Sequence, residues 1–352
     1  MKTSKLFLLL TMMTFVNLLS SCNEEDVTPH ERNQQLANEQ NALEENPIAV
    51  TDLTNHVNIE GATKKSGTAP APTGTVDFQI ETNTQMAFQS VGFLIQFQST
   101  SNVAGAYIQL RDVDGNKANG YFDVPTSAFS SGRWAQSNKN PFTNRVTNDL
   151  LGIAVSFNNA LPPGQFCYDI CIYDDQNNIS QIQTICVEVE AWGGNVDVVG
   201  QWKFDRYEPN NDVFYPAIIC DSVEVNEQLH LSPRSLEFDM RADGTYTLTI
   251  YEEYRKADFS TSLASCAAVY EDEVNIDHVK YLGQWAYNET NQHIVLVAFS
   301  FEDLIDPNNN QVSTDGSVQV DAKSAIIHDE WVLTFENAGS NTPELKFISK
   351  RI

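Results

Sequence analysis

The residues of this chain best placed to do covalent chemistry are its six cysteines. They are Cys22, Cys167, Cys171, Cys186, Cys220 and Cys266. The paired C-x-x-C spacing of a structural zinc site is absent, and in an oxidising compartment such cysteines form disulfides. The six histidines (His30, His56, His230, His278, His293 and His328) are scattered, so surface or structural roles are expected rather than a metal cluster. No nucleophile elbow, H-E-x-x-H helix or phosphate-binding glycine loop is present. No two carboxylates stand out as a glycosidase pair, whose separation across a cleft is not written in spacing. Neither catalysis nor a cofactor is expected. Asp112-Val113-Asp114-Gly115-Asn116 begins like a calcium loop, with Asp123 at the twelfth position. Its glycine is fourth rather than sixth, so Asp112, Asp114 and Asn116 are weak calcium candidates beside a plain hairpin tip. No metal is assigned.

The elements that must carry these residues start with a secretory pattern. Lys2 and Lys5 precede an uncharged, largely apolar stretch from Leu6 to Leu19, then small residues, then the acidic burst Asn23-Glu24-Glu25-Asp26. Fourteen residues, about 21 Å of helix, are too few to span a bilayer core. Residues 1–21 therefore read as a signal peptide. Their removal takes away Lys2 and Lys5 and no acid, moving the formal charge from -26 to -28. So acidic a chain repels nucleic acid and anionic lipid alike. The remaining length, about 330 residues, suggests two domains.

Residues 22–74 show no sustained apolar period. Lys64-Lys65-Ser66-Gly67-Thr68-Ala69-Pro70-Ala71-Pro72-Thr73-Gly74 has linker composition, and the whole segment reads as a flexible tether. Residues 75–192 carry short period-two runs. Val76, Phe78 and Ile80 share a face, as do Phe93, Ile95 and Phe97. Tyr107–Leu110, Gly120–Pro125, Leu151–Phe157, Phe166–Ile172 and Ile185–Val189 follow. Seven such strands predict an antiparallel β-sandwich. A two-residue turn at Gln176-Asn177 sets Cys167 opposite Cys186, close enough for a disulfide, and leaves Cys171 spare. A slipped register or a bulge would bridge Cys171 instead.

Ala191-Trp192-Gly193-Gly194-Asn195 reads as a hinge, and residues 196–352 as a second β domain. Asp243-Gly244 between alternating runs is a strong hairpin signal. Trp202, Phe204, Phe238, Tyr246, Trp285, Tyr287, Trp331 and Phe335 have inward-compatible parity in a barrel. They either fill it or line a cavity. Trp202, Tyr246, Trp285, Tyr287 and Trp331 are the ligand-binding candidates. Arg133 and Trp134, in a long loop of the first domain, are candidates for surface contact with a sugar or a protein. Cys220 and Cys266 are expected to pair, closing a loop of about 45 residues worth roughly 3–4 kcal/mol.

Three resemblances add to this reading. Leu19-Ser20-Ser21-Cys22 resembles the lipobox of bacterial lipoproteins, which implies that Cys22 is acylated and becomes the mature N-terminus. The residue after Cys22 is not Asp, and the acidic run that follows resembles an export signal. Together they imply the outer membrane and cell surface of a Gram-negative bacterium. Cys171–Ser180 resembles the end of an immunoglobulin-like or fibronectin type III-like domain. Gly200-Gln201-Trp202, Asp243-Gly244-Thr245-Tyr246 and Gly283-Gln284-Trp285-Ala286-Tyr287 resemble the motifs of lipocalin-like domains of bacterial surface lipoproteins. That likeness implies a barrel whose opening Trp is covered by a late basic residue, Lys350 or Arg351. The combined expectation is an all-β, lipid-anchored envelope protein without enzymatic activity, an immunoglobulin-like sandwich followed by a lipocalin-like barrel. It captures a small apolar or glycan ligand, or it is a structural or adhesive component contacting other envelope proteins.

Overall fold

The structure is a computed structural model that describes residues 28–74, 76–80, 84–129, 151–158, 161–208, 217–220, 223–232, 234–335 and 344–352. The signal segment, Cys22, Arg133 and Trp134 lie outside the described residues.

The first domain is built from β1 (Val57–Ile59), β2 (Thr63–Lys65), β3 (Thr84–Phe88), β4 (Phe93–Phe97), β5 (Val103–Arg111), β6 (Tyr121–Pro125), β7 (Leu151–Phe157), β8 (Gly164–Asp174) and β9 (Gln183–Glu190). They form a three-stranded sheet, β1-β7-β4, and a six-stranded sheet, β2-β6-β5-β8-β9-β3. Alternation puts Ile95, Phe97, Ile153, Ile108, Phe166 and Ile170 into one shared core between the sheets. The pairing is antiparallel except at β3, which runs parallel to β9. Val76, Phe78 and Ile80 are buried in alternation, as their spacing predicts, but Gln79 makes only a single bridge, to Gln98.

Residues 28–74 depart from the flexible tether expected of them. Two helices, α1 (Pro29–Glu44) and α2 (Val50–His56), and strands β1 and β2 lie within this segment. Thr28 and Glu31 close a capping box at the start of α1. Ile48, Leu53, Val57 and Ile59 are buried in the sandwich core. These anchors follow no single helical or strand period, so periodicity passes over them. The Pro/Gly stretch also lies on the domain: Gln109 donates to the Gly67 carbonyl, and Thr73 and Gly74 donate to the Ile179 carbonyl.

Cys167 and Cys186 face each other across β8 and β9 and are bonded, with an S–S distance of 2.07 Å. Cys171 is buried and free. Burial pushes its thiol up to about 11. Cys266 is disulfide-bonded; the Cys220 side chain is not among those described.

The second domain comprises β10 (Gly200–Glu208), β11 (Ala217–Cys220), β12 (Val223–Val225), β13 (Gln228–His230), β14 (Ser235–Met240), β15 (Thr245–Lys256), a short helix α3 (Phe259–Ser265), β16 (Asn275–Asn288), β17 (His293–Asp303), β18 (Gln311–Ile327), β19 (Glu330–Phe335) and β20 (Leu345–Arg351). Strands run β15-β14-β10-β20-β19-β18-β17-β16 and return to β15, closing an antiparallel eight-stranded barrel. β13 extends the wall beside the far end of β15. Closure removes the exposed sheet edge. No helix among the described residues is long and apolar enough to cross a membrane.

The segment expected to be a hinge is pinned. Gly193 donates to the Trp285 carbonyl at 2.7 Å, Gly194 donates to Gln40, and Gln40 donates to the Ala242 carbonyl. Helix α1 thus touches both domains at once.

Candidate functional site

The two Gly-x-Trp motifs build the closed end of the barrel. Trp202 is fully buried, and its indole donates to the Val198 carbonyl at 2.7 Å. The Arg351 guanidinium covers it, 4.3 Å from the ring centroid. Of the two basic residues expected there, Arg351 takes the position. A Cβ on Gly200 would stand 2.5 Å from Arg351 Nη1, so the motif's glycine leaves room for the guanidinium. At Gly283 a Cβ would meet the Val297 carbonyl oxygen at 1.9 Å, and only glycine fits this bulge.

Above this floor the inward aromatics pack on one another. Trp331 packs on Trp202 and Phe238, with ring centroids 5.7 and 5.3 Å away, and donates to Ser324 Oγ. Trp285 donates to the Arg241 carbonyl. Trp202, Tyr246, Trp285, Tyr287 and Trp331 are all buried in the same cluster as Leu248, Leu296 and Phe347. The structure brings the five residues picked as ligand contacts together in one buried cluster. Tyr246 is 1% exposed, and its hydroxyl has no hydrogen-bond partner among the described residues. Burial raises its pKa.

The far end differs. β15 continues inward-facing past Ile250 to Glu252 and Tyr254, both buried. Arg234 Nε lies 3.1 Å from Glu252 Oε2, and His230 stands nearby at 3.8 Å. Tyr254 donates to Asp277 at 3.4 Å, and Tyr281 packs on Phe301. Burial raises the Tyr281 pKa, with Arg234 opposing. The polar group was missed because the strand reading of the sequence stopped at Ile250. Extending the same parity by two residues would have placed Glu252 inside.

Outside this end lies the feature with most to offer a partner. Leu229 and Leu231 on and just after β13, Val274 and Ile276 at the start of β16, and Leu304 and Ile305 after β17 are each 41–54% exposed. They adjoin one another. Ile276 pairs with Glu253, Leu231 donates its amide to the Glu253 carbonyl, and Leu304 donates to the His278 carbonyl. The run Glu271-Asp272-Glu273, next to Val274 in the chain, is exposed as well. Exposed apolar patches of this kind recur at interaction surfaces.

The remaining candidates are placed as follows. Asp112 accepts hydrogen bonds from the backbone amide of Asn116 at 2.8 Å and from its side-chain amide at 2.7 Å, and these lower its pKa against slight burial. The Asp112–Asn116 segment is a self-satisfied hairpin tip, and Asn116 turns a donor, not an acceptor, toward the carboxylate. Among the described residues no three His, Cys, Asp or Glu side chains are grouped to hold a metal. No family model matches the chain, and no curated protein compared with it is similar.

Proposed function

We propose that this chain is a non-enzymatic, lipid-anchored envelope protein whose barrel lip docks onto another envelope protein. The observation that carries this reading is the contrast between the two ends of the barrel. A capture protein needs room inside, whereas Trp202, Trp285 and Trp331, all fully buried, occupy the interior. A docking protein tolerates a filled barrel and needs an exposed apolar surface, which Leu229, Leu231, Val274, Ile276, Leu304 and Ile305 supply. The acidic margin at Glu271–Glu273 suits a partner with an apolar centre and a basic rim. In this reading the sandwich is an immunoglobulin-like spacer, and the barrel is a lipocalin-like head. Acyl chains on Cys22 hold the protein at the outer membrane, facing the cell exterior.

The deciding experiment compares the wild-type chain with a Leu231→Glu/Ile276→Glu variant. Both are crosslinked in intact cells and compared for melting temperature. The expected result is loss of specific protein adducts without loss of stability. A small apolar or glycan molecule retained stoichiometrically inside the natively purified barrel, with adducts unaffected by the two substitutions, would favour capture instead. Cys22→Ala should release the protein from the membrane fraction; retention would remove the anchoring part of the proposal.

A further inference from the structure

Two glutamates are buried where the sandwich, helix α1 and the barrel meet. Glu190, the last residue of β9, is fully buried, and Glu44, the last residue of α1, is 7% exposed. The Glu44 carboxylate accepts the Ala191 amide at 2.9 Å. Glu190 Oε1 accepts from Asn288 Nδ2 at 2.6 Å, and Asn288 belongs to the barrel strand β16. Glu190 Oε2 has no donor among the described residues. Ala191 directly follows Glu190, so the bond that holds Glu44 there sets its carboxyl beside that of Glu190, and the two groups interact. A contact between two ionised carboxylates has acceptors only, so it needs a proton between them.

The surroundings reinforce that need. Glu188 on β9 acts on both carboxyls and Glu289, on the turn after β16, acts on Glu44, while Glu45, just past α1, acts in turn on Glu188. Asp197, next along the barrel's entry turn, acts with Glu289 on Tyr287. No lysine, arginine or histidine is among the described groups acting on the pair. Burial is the largest influence on both carboxyls and raises both pKa values; repulsion from Glu44 and Glu188 raises Glu190 further, repulsion from Glu188 and Glu289 raises Glu44, and contact with Glu190 opposes the rise at Glu44. The same contact region holds the other cross-links. Gln40 bonds Gly194 and Ala242, and Asn41 bonds Gly194 and Glu289.

We infer that Glu44 and Glu190 share one proton and form a pH-operated latch between the two domains, closed in acid and released as the proton leaves. With the proton in place, Glu190 Oε2 donates to Glu44, and α1, β9 and β16 are stitched together. When the proton departs to solvent, two carboxylates face each other with Glu188 and Glu289 acting on them. The favoured response is then separation and hydration of the joint. The sign follows from linkage. Each carboxyl has a folded pKa above its unfolded value, so the joint's stability is fully present below the unfolded value and declines as pH rises through the folded ones. The latch changes the orientation of the barrel lip on its stalk without touching the lip itself, and it holds whatever the lip binds.

The test is hydrogen exchange on the full chain between pH 5.5 and 8.5, in chelator, with each rate corrected for intrinsic exchange. Amides of residues 188–194 and 286–290 are followed against core amides of both domains. One proton of linkage predicts that joint protection falls by up to about tenfold per pH unit, while core protection stays flat. Glu190→Gln places a permanent donor at the same position and should hold the joint closed to pH 8.5. Glu44→Gln does the same from the other side and serves if the first variant does not fold. Flat joint protection in the wild-type chain would overturn the latch, and so would the same fall in either Gln variant. Protection that rises with added calcium at fixed pH would also overturn it, replacing the proton by a cation.

Discussion

The guanidinium of Arg351, the second residue from the end of the chain, lies 4.3 Å above the indole of Trp202, the third residue of the barrel's first strand. It also donates to the Val199 carbonyl at 2.9 Å and the Asp197 carbonyl at 3.0 Å. One side chain therefore seals the floor of the barrel and fixes the chain as it enters. Arg351→Ala removes a cation–π contact and two charge-assisted hydrogen bonds, and should cost the barrel about 2 kcal/mol. Lysine keeps the charge but not the planar fork, so Arg351→Lys should recover less than half of that. Urea unfolding followed by near-ultraviolet circular dichroism of the barrel tryptophans measures both; an unchanged midpoint in the alanine variant contradicts the assignment.

Tyr246 separates a filled barrel from an occupied one. Its hydroxyl is buried without a partner among the described residues, which carries a desolvation cost and no return. Tyr246→Phe should therefore leave stability unchanged or raise it by roughly 1 kcal/mol. A loss of stability would mean that the hydroxyl meets a bound water or the polar end of a ligand, and would reopen capture.

The cysteines divide by reactivity. Cys171 is 2% exposed, and burial holds its thiol in the protonated form well above neutral pH. It should resist alkylation in the native chain and react once the sandwich unfolds. Cys167 and Cys186 should be recovered as a non-reduced peptide pair, and Cys266 is expected to be found with Cys220. Helix α3, just before Cys266, packs on the strand that ends at Cys220. Recovery of Cys220 as a free thiol would contradict that second pairing.

Asp169 titrates in the opposite sense to the interdomain latch. Burial alone would raise its pKa, but Lys117 at 2.6 Å, Thr184 and Arg111 outweigh it and hold it below the usual value. A depressed folded pKa gives stability that is present above the unfolded value and lost as pH falls through the folded one. The sandwich should weaken in acid below about pH 4 through this residue. Asp169→Asn should destabilise it at neutral pH by about 2 kcal/mol and flatten its acid limb. Thermal melts from pH 2 to 7 check both effects; parallel curves for the two proteins would exclude the role.

Much of the barrel was legible because β structure writes its inside and outside in period two. Trp202, Phe238, Tyr246, Trp285 and Trp331 could be turned inward from parity alone. Cys167 could be set opposite Cys186 from a two-residue turn, since hairpin register is local. Even the choice between Lys350 and Arg351 is one of parity, for Arg351 pairs directly with Trp202. Whether inward aromatics fill a barrel or line a hollow depends on how many strands close around them, and closure joins β15 to β16 and β10 to β20 across the whole domain. The anchors Ile48, Leu53, Val57 and Ile59 share no single period because they are placed by a core assembled from distant strands. Glu44, Glu190 and Asn288 look like ordinary surface residues in a strongly acidic chain. They become a buried joint only because folding removes the water around three segments at once, and a carboxyl's proton is decided by that water rather than by its neighbours in sequence.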